Sequence, residues 1–305
     1  MACHFPQTAY YAKERNPNGK RSLVFNREQS STGIPIRVPC NGCFACRLRF
    51  KTHWMMRNVH ESKMHSESCF VTLTYAPEHL PRDHSLKKRH FQLFMKRLRK
   101  HVAPKQIRYF ACGEYGDESE RAHYHALIYG HDFHDKKFLF TNKQGDRIYE
   151  SETLYELWPL GINTVGAVTR HSANYVSGYA VKKIRGSLAQ DHYTRVDPTT
   201  GELHELTPEF ALMSRRPGIG YPWYEKYGSH ALGRKGTVVI NGKEVIAPAY
   251  YWRKWETENP ELVAVHKKEY RNLAQKHRAD NTPERRRVRE QVLILNAQRL
   301  KRDVK

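Results

Sequence analysis

Two short runs rich in aromatic and aliphatic residues, 107–113 and 122–130, are separated only by the acidic turn 114–121. Runs of this length joined by so short a polar turn have one economical arrangement, as antiparallel neighbours in a sheet. In the second run His123 and His125 flank Tyr124. Alternate residues of a strand share a face, so both imidazoles point to one side and Tyr124 to the other. If the two runs pair, Glu114 at the end of the first lies beside the histidines. Two imidazoles and a carboxylate form a hard-to-borderline donor set with open positions, suited to Mg²⁺ or Mn²⁺ bound to a phosphate oxygen. Chance is the competing explanation, because the chain has 18 histidines and a His-x-His pair is cheap.

The remaining pattern gives the surroundings. Residues 69–75, closed by Ala76-Pro77, read as another strand, and 162–168 as a fourth. Residues 44–63 form a helix, with Phe44, Leu48, Trp54, Met55 and Val59 apolar and Arg47, Arg49, Lys51 and Arg57 on other faces. Residues 86–101 form a second, with Phe91, Phe94, Leu98 and Val102 at helical spacing. A third, over 172–185, carries Tyr175, Tyr179, Lys182 and Lys183. Residues 1–43 are loop-rich, 131–152 polar and irregular, and 215–222 a rigid loop. Asn241-Gly242 between two apolar runs predicts a hairpin over 237–246. Residues 256–302 are charged and mostly helical, broken at Pro283. The class is α+β: an antiparallel sheet flanked by helices, with a Cys-rich N-terminal segment and a basic C-terminal extension. Three regions follow, 1–64, 65–225 and 226–305.

The 52 Lys+Arg against 31 Asp+Glu leave a net charge of +21. Such a surplus points to a polyanion, and to nucleic acid first; a plain solubility charge is the alternative. Arg47, Arg49, Lys51 and Arg57 are candidate DNA contacts, with the 256–302 tail as a second basic surface. No window approaches the ~20 apolar residues of a membrane span, and Met1-Ala2-Cys3-His4-Phe5-Pro6 lacks an apolar signal core. The reading therefore has no membrane partner and no secretion.

Cys40, Cys43 and Cys46 lie within seven residues, and Cys3 or His4 supplies a fourth ligand for tetrahedral Zn²⁺. The C-x₂-C-x₂-C spacing is unusual for zinc, so a plain reduced cysteine cluster competes with it. An iron–sulfur cluster fits less well. Residues 228–235 lack the Lys-Ser/Thr of a phosphate loop, which leaves no ATPase module.

Tyr175 and Tyr179 are neighbours on one helix face. A tyrosine hydroxyl beside a metal-polarised phosphate can act as a nucleophile and become a phosphotyrosine. Lys182 and Lys183 bring cations that can steady the transition state. In isolation the helix reads as well as a packed tyrosine stripe. The order of the pieces is more specific. The segment Phe70-Val71-Thr72-Leu73-Thr74-Tyr75, then His123-Tyr124-His125-Ala126-Leu127, then Tyr175-Val176-Ser177-Gly178-Tyr179-Ala180-Val181-Lys182-Lys183 resembles the three motifs of HUH-superfamily rolling-circle replication initiators. With Pro39 to Arg47, Gly113-Glu114-Tyr115-Gly116 and Arg216-Pro217-Gly218-Ile219-Gly220, the resemblance is closest to the initiators of gokushovirus-type microviruses, over roughly residues 1–225. Tyr124 departs from the aliphatic residue commoner at that point.

The resemblance implies an HUH endonuclease-type sheet and an origin-specific nicking and joining reaction on single-stranded DNA. His123 and His125 match the metal ligands, with Glu114 the candidate third. Tyr175 and Tyr179 match the nucleophile pair, and Lys182 the motif lysine, with Lys183 beside it. The attacking tyrosine becomes joined to the 5′ end and frees a 3′-OH. A host polymerase and helicase are implied partners, and the host bacterial cytoplasm the location. Two other functions stand against this: a non-enzymatic nucleic-acid-binding protein, and a transposase or relaxase of the same superfamily.

Overall fold

The computed structural model describes residues 3–17, 19–116, 120–179, 188–196, 201–233, 235–240 and 242–302. The first elements are β1 (Gln7–Arg15), β2 (Arg21–Val24), β3 (Ile36–Val38), α1 (Phe44–Ser62), β4 (Ser68–Thr74), α2 (Lys88–His101), β5 (Arg108–Tyr115) and β6 (Ala122–Tyr129). Then follow β7 (Lys137–Thr141), β8 (Arg147–Glu150), α3 (Glu152–Leu157), β9 (Asn163–Ala167), α4 (Arg170–Tyr179), α5 (Leu188–Tyr193), β10 (Thr194–Val196), β11 (Leu203–Glu205) and β12 (Phe210–Met213). The last are α6 (Tyr221–Leu232), β13 (Thr237–Ile240), β14 (Lys243–Ile246), α7 (Ala249–Glu258), α8 (Pro260–Lys276) and α9 (Pro283–Arg302). The chain divides into two compact units: residues 51–263, and residues 1–50 with 264–305.

The larger unit is built on a seven-stranded sheet in the order β12-β5-β6-β4-β9-β8-β7, antiparallel throughout. The alternation of β4 shows why it sits between two layers. Cys69, Val71 and Leu73 are fully buried on one face, against Phe91, Phe94 and Leu98 of α2 and Trp158. Phe70 faces the other way, into a core of Met55, Met56, Ala173 and Val176 from α1 and α4. Burying one side chain of Leu73's size contributes roughly 1.5–3 kcal/mol, so the α2 stripe and the odd-numbered face of β4 hold each other. The class is α+β, and the pairing of β5 with β6 is the one expected.

Three strands escape the sequence pattern for physical reasons. Residues 131–152, read as irregular, contain the β7–β8 hairpin at the sheet edge. Every residue of β7 is exposed, so burial imposed no alternation on Lys137-Phe138-Leu139-Phe140-Thr141. β12 has only four residues, and its partner β5 defines it.

The smaller unit pairs β1 with β2 and β3, where the sequence read only loops. Glu290 of α9 reaches the other end of the chain. It accepts the backbone N–H of Phe44 at 2.7 Å, satisfying an orphan donor at the start of α1, and it pairs with the ring of His4.

Candidate metal centre and nucleophile helix

Antiparallel pairing of β5 and β6 sets Glu114 directly opposite His123, and Cys112 opposite His125. On the other side of β6, Thr72 of β4 stands opposite His125. Glu114 Oε1 lies 2.9 Å from Nε2 of His123 and 3.0 Å from Nε2 of His125. One oxygen thus converges with two imidazoles at an almost fully buried position, the Glu114 side chain being 2% exposed. The three ligand atoms lie within 4.8 Å of one another. Tyr124 points the other way, fully buried, with its hydroxyl bonded to Tyr75 at 2.7 Å and to the backbone of Lys87 at 2.9 Å.

The outer contacts fix the inner ones. Nδ1 of His123 donates to the carbonyl of Arg121 at 2.9 Å, since a carbonyl can only accept. A neutral His123 then turns the lone pair of Nε2 toward the carboxylate oxygen. Two acceptors face each other at hydrogen-bonding distance, an arrangement that needs either a proton or a cation between them. Thr72 Oγ1, 3.0 Å from Nδ1 of His125, orients the second ring in the same way. Burial pushes the Glu114 carboxyl up, but the two histidines outweigh it and bring it down to about 2. The donor set therefore fits a hard divalent cation: one ionised carboxylate and two imidazoles of fixed tautomer and orientation.

Helix α4 packs beside this cluster. Thr169 and Ser172 cap its start reciprocally: the Ser172 N–H donates to Thr169 Oγ1 at 3.1 Å, and the Thr169 N–H to Ser172 Oγ at 2.8 Å. Ala173 and Val176 bury one face. Asn58 of α1 donates to Ser177 Oγ at 3.2 Å and accepts from the Tyr129 hydroxyl at 3.0 Å, pinning α4 to β6. The half-exposed Tyr175 then meets the His125 ring edge-on, with centroids 5.0 Å apart, while Phe70 stacks on His125 at 5.6 Å. Tyr179 ends α4, one turn beyond Tyr175. The Tyr179 side chain, Lys182 and Lys183 lie outside the described residues.

The four basic candidates of α1 part company. Arg47 is exposed, and Arg49 and Lys51 are half-buried. Arg57 is not presented with them. Its guanidinium is sandwiched between Trp54 and Tyr250, 4.0 Å from each ring, and its Nε donates to the Ile219 carbonyl at 2.9 Å. Sequence reasoning missed the neighbouring Glu61. Fully buried, it accepts from the Gly220 N–H and from Arg108 Nε, each at 2.5 Å. Arg57 and Glu61 thus clamp the Arg216–Gly220 loop. Gly220 has φ +80°, and a Cβ there would collide with the Tyr251 hydroxyl. A Glu four residues beyond an Arg on a helix was the available signal, and it looks the same on a solvated face.

The cysteines gather separately, in the smaller unit. The Sγ atoms of Cys3, Cys40, Cys43 and Cys46 all lie within 4.8 Å of one another. Cys3 Sγ is 3.5 Å from that of Cys40 and 4.0 Å from that of Cys43, and all four are free thiols. Tetrahedral Zn–S bonds of about 2.3 Å imply S···S separations of about 3.8 Å, so the spacing fits zinc. The backbone N–H groups of Cys40 and Cys43 donate to the sulfurs of Cys3 and Cys40, each at 3.3 Å. Asn41, at φ +58°, makes the tight turn between them. His4, the other candidate fourth ligand, is engaged by Glu290 instead. Among the described residues, no helix is long and apolar enough to cross a membrane.

The family of the replication-associated protein ORF2 matches residues 68–184, which include β4, the histidine strand and α4. Replication-associated protein VP4 of Bdellovibrio phage phiMH2K is 34% identical over 252 residues, covering 80% of this chain and 76% of that protein. Replication-associated protein ORF2 of Spiroplasma virus 4 is 30% identical over 233 residues, 72% and 68% of the two chains. Replication-associated protein ORF4 of Chlamydia phage 1 is 31% identical over 153 residues, 48% and 38%. No solved structure matches.

Proposed function

This chain belongs to the family of phage replication-associated proteins, and from that premise we propose that it is an HUH-type nicking and joining endonuclease that starts and ends rolling-circle replication. The observation that carries the reading is the convergence of Glu114 Oε1 on the Nε2 atoms of His123 and His125 at 2.9 and 3.0 Å, with Tyr175 edge-on to His125.

Glu114, His123 and His125 hold Mg²⁺ or Mn²⁺, which when bound supplies Lewis-acid polarisation of a non-bridging phosphate oxygen. Arg121 and Thr72 keep the imidazoles in the tautomer that leaves Nε2 toward the site. Phe70 and the buried strands exclude water behind them. Tyr175 or Tyr179 attacks the scissile phosphorus through Oη, the P–O3′ bond breaks, and the 5′ phosphate stays on the tyrosine while the 3′-OH departs. Lys182 and Lys183 steady the charge of the transition state. With two tyrosines a turn apart, one can hold the 5′ end while the other cuts the regenerated origin. The single strand at the origin is the substrate, a host polymerase extends the 3′-OH, and a host helicase unwinds ahead of it in the bacterial cytoplasm. The cysteine cluster takes a structural Zn²⁺, favoured over an iron–sulfur cluster by the S···S spacing and by four thiols round a single centre.

The test is to incubate the protein with single-stranded viral DNA and Mn²⁺ and to look for a protease-sensitive covalent adduct containing phosphotyrosine. DNA binding with no adduct under any divalent cation would return the protein to the non-enzymatic reading.

A further inference from the structure

Gly178 is the glycine inside α4, between the two tyrosines in sequence: three residues after Tyr175 and one before Tyr179. A glycine in a helix interior costs roughly 0.5–1 kcal/mol against alanine. Its surroundings show what the missing side chain admits. A Cβ at Gly178 would lie 3.3 Å from Cε of Lys51, 3.4 Å from Nζ and 3.7 Å from Cδ. The end of the Lys51 side chain therefore lies across the backbone of α4 where a side chain would otherwise be.

Lys51 is held there by the helix that bears it. Lys51, Met55 and Asn58 are spaced four and three apart on α1 and form one stripe. Met55 shares a buried core with Ala173 and Val176, and Asn58 bonds Ser177 at 3.2 Å. The stripe therefore runs along α4. On α4, positions three apart are surface neighbours, so the ammonium at Gly178 sits one side chain from Tyr175. Tyr175 in turn lies edge-on to His125, at 5.0 Å between centroids.

We propose that Lys51 is a phosphate-binding residue of the nicking reaction, and that Gly178 is the gap that lets its ammonium reach the phosphate held by the tyrosines. The inference rests on the nuclease reading above and adds a cation from α1 to those of the 182–183 motif. When Tyr Oη bonds to phosphorus, the non-bridging oxygens gain negative charge before the P–O3′ bond breaks; the phenol proton goes to solvent and the departing 3′ oxygen takes one from solvent. An ammonium fixed beside the tyrosine opposes that charge without reorganising. A half-buried lysine held at one end by packing is better preorganised for this than a solvated one.

The experiment compares single-turnover adduct formation, at saturating single-stranded viral DNA with Mn²⁺, in wild type, Lys51→Met, Lys51→Arg, Gly178→Leu and Lys96→Met. Lys96 is an exposed lysine of α2 and serves as the charge-loss control. Lys51→Met should slow the step by about 10-fold or more. Its DNA affinity should stay within about 2-fold, since it removes one of many phosphate contacts, and its melting temperature should not move. Lys51→Arg should recover most of the rate. Gly178→Leu keeps the lysine but displaces it, and should match Lys51→Met. A Lys51→Met protein as fast at saturation as Lys96→Met overturns the proposal while leaving the nuclease reading intact. No adduct from wild type overturns both.

Discussion

Residues 1–50 and 264–305 hold 21 Lys+Arg against 7 Asp+Glu, a net of +14 on 92 residues. Residues 51–263 hold 31 against 24, a net of +7 on 213. The smaller unit carries two thirds of the excess charge and the cysteine cluster; the larger carries the histidines, Glu114 and the tyrosine helix. The difference lies in how each unit uses its carboxylates. In the larger unit Glu61 and Glu114 are buried among specific donors, because a reaction centre needs groups fixed to within a fraction of an ångström. Binding to a phosphate backbone needs no such precision, only many cations within reach, so the smaller unit can be basic and largely solvated. We therefore expect chemistry to fail when the larger unit is altered, and hold on DNA to weaken when the smaller one is.

The sharpest break in that comparison is His125→Ala. Adduct formation should fall by about 100-fold or more while single-strand affinity changes by less than about 3-fold. A gel assay for the adduct and a filter-binding titration read the two separately. Equal losses in both would mean that the histidine holds DNA rather than the reacting phosphate.

Glu61→Gln comes next, and tests the larger unit's framework without touching the centre. Burial raises the Glu61 carboxyl, but His65, Arg108 and the Gly220 N–H outweigh it and hold it below its ordinary value. A carboxyl depressed on folding contributes stability that is present above its unfolded pKa and lost as pH falls through the folded one. The glutamine variant should lose about 3 kcal/mol at pH 7, because Arg108 is left with an uncompensated charge. The gap to wild type should narrow below the ordinary carboxylate range. Urea melts at pH 7 and at pH 3 check both; a gap that stays constant with pH would remove the linkage.

In the smaller unit, Cys43→Ser should take zinc from about one ion per chain to none, as elemental analysis of chelator-free protein reads it. His125→Ala should keep its zinc. Loss of zinc should lower the melting temperature and expose residues 1–50 to protease, because the metal supplies folding energy to a unit with little core of its own. Freshly prepared wild type without zinc would leave a plain thiol cluster.

The smallest effects should come from single charges. Arg47→Gln and Arg287→Gln each remove one exposed cation of the smaller unit. Each should flatten the slope of log K against log salt by about 0.7 on single strands and leave the adduct rate at saturation unchanged. An unchanged slope takes that residue off the DNA contact surface.

The sequence by itself determined what depends on short range. Period two in 107–130 made His123 and His125 share a face and sent Tyr124 into the opposite core, and one short turn was enough to bring Glu114 opposite His123. Period 3.6 gave α1 and α2, and Asn241-Gly242 the hairpin, since turn chemistry is local. Tertiary structure alone decided the rest, for one recurring reason: a polar side chain reads the same whether solvent or a distant segment receives it. Arg57 looked like Arg47 and Arg49 until Tyr250, almost 200 residues away, covered its guanidinium. Glu290 looked like any acid of a basic tail until His4 and the Phe44 N–H took its two oxygens. Lys51 differed in nothing from its neighbours on α1. Its position opposite a glycine of α4 was set by the packing of two helices, and no spacing within either one encodes that crossing.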